Sequence, residues 1–354
     1  MTSDDMHLPV GKLPAHLLGR LIASYATSDP TVLVGPGIGG DAAAIDLGGR
    51  VLVVKSDPIT FASKQPAQYL VDINANDLAC LGGRPRWMMV TALLPEGTTE
   101  QRVEAHFREL RDACQQRQIS LVGGHTEVTF GLSRPILVGV LIGDSEPGRL
   151  LRPGGARPGD VLLLTGAIAV EGTALVAREL GARLDGAVDR AAIDRAAGFL
   201  DDPGISIAAE ASALLDAGGV TALHDPTEGG LATGVRELAL AAGCGATIDR
   251  EAVPVLPETA AIAAALDLDP LGMLASGSLL AAADAASVDG LIATARRLGF
   301  ALTAIGEVTG EAGRFVIREG GVERELPLYD SDEVTRALET SSPRRGTNPV
   351  PPRR

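Results

Sequence analysis

Apolar residues at alternating and helical spacings divide the chain into strands and helices before any chemistry is considered. Residues 51–55, "VLVVK", read as a strand, with Ser56 and Asp57 at its tip and Pro58 expected to stop the pairing. Residues 66–81 read as a helix: Pro66 suits a first turn, and Gly82-Gly83 suit its end. Residues 86–95, 119–129 and 134–144 read as further strands. Between the first two lies an amphipathic helix over residues 98–118, capped by Thr98 or Thr99. Pro and Gly punctuate residues 152–159 and predict a boundary between two domains, 1–153 and 154–340. Beyond it, strands are expected at 161–165, 245–248, 277–283, 301–308 and 314–319, and helices at 170–180, 205–217, 229–242 and 284–299. The mixture predicts an α/β (α+β) fold. The basic, Pro-rich residues 341–354 are expected to be a disordered tail.

One helix breaks its own pattern. At about 100° per residue, with Tyr69 at zero, Cys80, Ile73, Leu70 and Leu81 form an apolar stripe. Asp77 falls in its middle, Asn76 on its border, and Asp72 on the outer flank, where it reads either as solvated or as a residue supporting those that would touch an ion. A buried carboxylate without a partner is strongly destabilising. Asp77 is therefore either satisfied by a neighbouring segment or a ligand to a cation.

Composition narrows the partners. The 354 residues are 45% hydrophobic but only 3% aromatic, so the core is built from Ala, Val, Leu and Ile. A net charge of −14 argues against nucleic acid and anionic membranes. Anionic nucleotides stay possible where a metal or backbone N–H groups supply the positive field. Cys80, Cys114 and Cys244 lie far apart, with no zinc or disulfide spacing. With no signal peptide and no long apolar run, a soluble cytoplasmic protein is expected.

Five segments carry candidate chemistry. "GPGIGGDAAAI" places Asp41 after Gly37, Gly39 and Gly40, as a surface turn or a phosphate loop. It lacks the Lys of a P-loop and is not a strand-to-helix dinucleotide turn. Lys55 and Asp57 stand at a strand end, and Asn76 and Asp77 on the helix. In "LVGGHTEVT", Gly123 and Gly124 permit a hairpin bend or a close backbone approach, followed by His125, Thr126 and Glu127. In "LHDPTEGGL", His224, Asp225 and Thr227 precede Gly229 and Gly230 at a helix start, which has either a packing reason or an anion-binding one. Acidic residues beside glycine turns on several elements suit a metal–phosphate site.

In this order the segments resemble the ATP-binding superfamily of aminoimidazole ribonucleotide (AIR) synthetase, selenophosphate synthetase, thiamine-monophosphate kinase and the HypE-type hydrogenase-maturation proteins. The resemblance runs over about residues 8–310 through "LPVGKLP", "GIGGDAAAI", "SDP", "NDLACLGGRP", "GGHTEV", "HDPTEGGL" and "IGEV", and is strongest to HypE-like, AIR-synthase-related chains. It implies a two-domain PurM-like fold whose N-terminal domains pair into a shared β-barrel in a homodimer. It further implies ATP in a cleft and Mg2+ on Asp41, Asp57 and Asp77. The nucleotide would meet Gly37, Gly39, Lys55, Asn76, Gly123, Gly124, Thr126, Asp225, Thr227, Gly229 and Gly230. Lys12, His125 and His224 are the candidate catalytic groups.

Several positions depart from the HypE pattern. Gly40 stands where the superfamily often has an acid, and His125 where HypE has Asp. Ala275, Ser276, Gly277 and Ser278 replace Asn-Glu-Gly-Lys. HypE carries its carbamoyl group on a terminal Cys, whereas this sequence ends "NPVPPRR". The expected function is ATP- and Mg2+-dependent activation of an amide, carboxylate or alcohol oxygen on a small-molecule or protein-borne acceptor. Alternatives are a small-molecule kinase of the thiamine-monophosphate type and a non-catalytic nucleotide-sensing subunit.

Overall fold

The computed structural model describes residues 15–24, 29–37, 42–59 and 66–339. In the first half these form α1 (Ala15–Ser24), β1 (Val32–Val34), β2 (Ala43–Asp46), β3 (Val51–Ile59), α2 (Pro66–Cys80), β4 (Arg84–Pro95), α3 (Glu100–Gln116), β5 (Ser120–Thr129) and β6 (Ile136–Ser145). The strands make one sheet, in order β1-β2-β3-β6-β4-β5. β3 runs through Pro58, contrary to the expected stop. Among the described residues it pairs beyond Val54 only with β6, so there the missing N–H of Pro58 breaks no second ladder. Thr99 is the cap of α3, its hydroxyl accepting from the Arg102 N–H at 3.4 Å.

The second half holds β7 (Val161–Thr165), α4 (Val170–Leu184), α5 (Arg190–Ala197), α6 (Ala208–Ala217), β8 (Val220–His224), α7 (Gly230–Ala241), β9 (Gly245–Asp249) and α8 (Pro257–Leu266). It continues with β10 (Leu280–Ala283), α9 (Val288–Leu298), β11 (Leu302–Thr309), β12 (Phe315–Glu319), β13 (Val322–Glu325) and α10 (Glu333–Glu339). Its sheet runs β13-β12-β9-β11-β7-β10-β8. No helix among the described residues is long and apolar enough to cross a membrane. Cys80, Cys114 and Cys244 are buried, and none is joined to another in a disulfide.

α2 joins the halves. Gly139 and Gly143 on β6 leave the space it needs: a Cβ at Gly139 would lie 3.2 Å from Leu70, and one at Gly143 2.6 Å from Leu78. Its last turn, Ala79 and Cys80, packs into a core of the second half with Leu163, Leu223 and Leu279. The helix is consequently buried nearly all round rather than along one stripe. This overturns the solvated reading of Asp72. That residue is only 3% exposed, and its carboxylate accepts from Arg117 Nε at 2.6 Å and from Gln68 Nε2 at 2.8 Å.

Candidate functional site

Lys55 and Asp57 are two residues apart on β3 and so face the same side of the sheet. α2 lies against that strand and brings Asp77 to them. Lys55 Nζ stands 2.8 Å from Asp77 Oδ2 and 3.3 Å from Asp57 Oδ2. Exposure rises across the cluster, from 6% for the Asp77 side chain to 19% for Lys55 and 36% for Asp57. The cluster is anchored inside the core and opens outward at Asp57. Asn74, one turn before Asp77, fixes the frame: its Oδ1 accepts from the Asp57 N–H at 3.1 Å, and its Nδ2 donates to Leu70 O at 2.8 Å. Sequence reasoning passed over Asn74. Its signal was the i, i+3 spacing to Asp77, which puts both on one helix face.

Asn76 belongs to a different task. It is fully buried, its Nδ2 donates to Ile205 O at 2.8 Å, and its Oδ1 accepts from the Ile207 N–H at 2.9 Å. Both ends of the amide are used to dock α2 onto the second half, a structural task beside the expected nucleotide contact. Ile205 and Ile207, which make these contacts, lie just before the start of α6 at Ala208 rather than inside it. On the flank of α2 about 140° from Asp77, Asp72, Arg117, Glu210 and Asp201 line a separate cavity of about 640 Å³.

The glycine segment of β5 is not a bend. Gly123, Gly124, His125 and Thr126 continue the strand in parallel register with Met89, Val90, Thr91 and Ala92. The close-approach alternative holds, since a Cβ at Gly124 would stand 1.9 Å from Val90 O. His125 is exposed, its Nε2 3.1 Å from Glu127 Oε2. It stands opposite Thr91, which faces Val138, which faces Pro58. Three strand spacings of about 4.8 Å separate β5 from β3, so within one chain His125 and Thr126 stand apart from the Asp57–Asp77 cluster. Lys12, Gly39 and Asp41 lie outside the described residues. Gly37 is exposed, in the loop that follows β1.

In the second half the predicted anion seat is filled from within. Gly229 and Gly230 open α7 with left-handed φ of 77° and 65°. The Gly229 N–H donates to Asp332 Oδ2 at 2.8 Å, and the Gly230 N–H to Thr227 O at 3.0 Å. A Cβ at Gly230 would stand 2.4 Å from Leu271 O. The glycines are there for packing, and the anion is the chain's own Asp332. That carboxylate also accepts from the N–H groups of Val334 at 2.8 Å and Leu274 at 3.3 Å. Burial nonetheless outweighs these three donors and raises its pKa to about 6.

Beside it, Glu171 opens α4 and is fully enclosed. Burial pushes its carboxyl well above the ordinary glutamate range. The facing Ser276 hydroxyl opposes the shift, while Glu228, Asp332 and Asp225 add to it. Glu171 and Asp332 were missed because no local pattern marks them: Asp332 sits 58 positions from Leu274. His224 is buried, with Nε2 3.0 Å from Glu237 Oε2 on α7.

Asp57 and Asp77 offer hard oxygen donors on two rigid elements, which suits Mg2+ bound mainly through phosphate oxygens and water. No group of three or more His, Cys, Asp or Glu among the described residues is arranged to hold a metal ion alone. The fit is to a metal arriving with phosphates.

The two-sheet fold defines the class. Residues 39–144 match the N-terminal domain of AIR synthase related protein, and residues 157–318 match its C-terminal domain. The chain belongs to this family of enzymes. Within it, the likeness runs to HypE. Carbamoyl dehydratase HypE of Cupriavidus necator is 30% identical over 290 residues, covering 78% of this chain and 79% of the relative. A structure of the hydrogenase maturation protein HypE in complex with ATP aligns at TM-score 0.70 and 23% identity, over 92% of this chain and 97% of that one. AaThiL complexed with AMPPCP and TMP aligns at TM-score 0.67 and 18% identity, over 86% and 93%.

Proposed function

We propose that this protein transfers the γ-phosphoryl group of ATP, with Mg2+, to an oxygen of an amide, carboxylate or alcohol acceptor. The observation that carries this reading is the Lys55–Asp57–Asp77 cluster, fixed between β3 and α2 and opening outward at Asp57. The ATP complex of a HypE of the same fold supports the choice of nucleotide. When bound, Mg2+ would neutralise charge developing on the phosphates. Asp57 and Asp77 would hold it, and Lys55 would face a phosphate oxygen. The acceptor oxygen forms a bond to the γ-phosphorus as the bond to the β–γ bridging oxygen breaks, and ADP leaves. In such chemistry positioning and charge stabilisation supply most of the rate.

The test is ATP turnover with and without Mg2+ in the parent and in Asp77→Asn, over a panel of amide, carboxylate and alcohol acceptors. The expected result is Mg2+-dependent turnover that falls at least about 100-fold in the variant. Equal turnover by both removes Asp77 from the mechanism. Tight ATP binding without turnover on any acceptor points instead to a nucleotide-sensing subunit.

The same reading includes a homodimer built on the first sheet. β5 is an edge strand exposed along nearly its whole length. Trp87, Met89, Leu121, Val122, Val128 and Phe130 leave its surroundings apolar and exposed, which is a pairing surface rather than a protected edge. Light scattering should give twice the chain mass for the parent and the chain mass for Val122→Glu. A monomeric parent rules the pairing out.

A further inference from the structure

Lys55 is placed oddly for a residue that only binds phosphate. Its ammonium stands between the two carboxylates that suit a metal, 2.8 Å from Asp77 Oδ2 and 3.3 Å from Asp57 Oδ2. A single positive charge on a flexible stem thus occupies the position suited to a divalent cation. The backbones that carry the two carboxylates do not depend on Lys55 for their placement. Asp57 is held by its β3 ladder to Gly139 and by the Asn74 side chain. Asp77 rides on α2, which the Asn76 contacts to Ile205 and Ile207 fix independently. Removing the ammonium would take away the cation that ion-pair distances place against both carboxylates, while leaving the elements that carry them in place.

We propose that Lys55 is a built-in counter-ion that keeps free metal out of the Asp57–Asp77 site and gives up its place only when nucleotide phosphates supply a new partner for the ammonium. The inference deepens the functional reading above and rests on it for the nucleotide. Metal alone must displace an attached cation from both acids, whereas metal with ATP offers Lys55 an anion in exchange. Binding is therefore ordered: metal and nucleotide enter together. Lys55 acts here as a positioning and selectivity residue of the site.

The test uses the full chain without nucleotide, titrated with Mn2+ and read by the loss of the free-ion electron paramagnetic resonance signal. The parent is expected to bind Mn2+ weakly. Lys55→Met should bind it at least about ten-fold more tightly, because an opposing charge a few ångströms away is gone. Lys55→Arg, which keeps the charge, should stay weak. Lys55→Gln, polar and neutral, serves as a second variant if the methionine form fails to fold, with the same tightening expected. Unchanged or weaker Mn2+ binding in the neutral variants overturns the proposal, as does tight binding by the parent. The readout needs no ATP, so the two readings fail separately: a neutral variant that gains Mn2+ while the parent ignores ATP supports the counter-ion and sinks the phosphoryl transfer.

Discussion

The two halves of the molecule handle buried acids in opposite ways. In the first half, Asp57 and Asp77 share the Lys55 ammonium beside an opening. In the second half, Glu171 and Asp332 are enclosed against each other and against Glu228 and Asp225, with their pKa values driven upward. An acid paired with a cation at the rim is poised to exchange that cation. An acid sealed among other acids is instead pushed toward its neutral form, and Asp332 fills a structural position by accepting three backbone N–H groups. Acid content alone therefore does not separate the two clusters; the partner of each acid and its route to solvent do.

The strongest attack on this contrast is to neutralise one acid from each half. Asp57→Asn is expected to lower Mg2+-dependent ATP turnover at least about 100-fold, while Glu171→Gln, which preserves shape and removes only a proton-binding carboxyl, should keep turnover within a few-fold of the parent. Steady-state phosphate release decides it. A reversed order would move the working acids to the second half.

A smaller effect tests the hinge between the halves. Asn76→Ala strips partners from Ile205 O and the Ile207 N–H, both in a buried setting. Each orphaned group destabilises by about 1–3 kcal/mol, so a loss of about 3 kcal/mol in urea unfolding is expected, with nucleotide affinity reduced only as far as the halves loosen. A stability change within about 0.5 kcal/mol, together with a large loss of ATP affinity, would make the nucleotide contact the main task of Asn76.

These residues also mark what the sequence makes legible. β3, α2, α3, β6 and β7 follow from alternation, helical spacing and caps, since each has a clear apolar pattern or a glycine stop. α8, "PETAAIAAAL", was missed because its run of alanines gives no contrast between faces. β8 was missed because its five residues, "VTALH", lack the continuous apolar run that marks the equally short β7, "VLLLT". Within the site, Lys55, Asp57 and Asp77 were readable from strand end and helix wheel. The role of Asp72 was not, because a wheel assumes one dry face and α2 has several. The filling of the Gly229–Gly230 seat was also hidden, since its carboxylate comes from Asp332, 103 residues away. Local patterns show which backbone groups need a partner, and only the tertiary fold shows which atom supplies it.

The finest test concerns the proton on Glu171. In the folded protein its carboxyl stays protonated far above the unfolded value of 4.5. Above that value the unfolded chain releases a proton that the folded chain retains, so stability declines as pH rises. The contribution of this site is greatest at acid pH and falls as pH climbs from 4.5 toward the raised folded value; Asp332 adds a decline of the same sign that ends near pH 6. Glutamine cannot ionise and removes the Glu171 part of the slope. Glu171→Gln should therefore melt a few degrees higher than the parent at pH 8, with the gap closing as pH falls toward 4.5. Because the two proteins are compared at each pH, the titration of every other group cancels to first order. A gap that stays constant with pH would mean that Glu171 titrates alike in the folded and unfolded chain, and would end the contrast with the first-half acids.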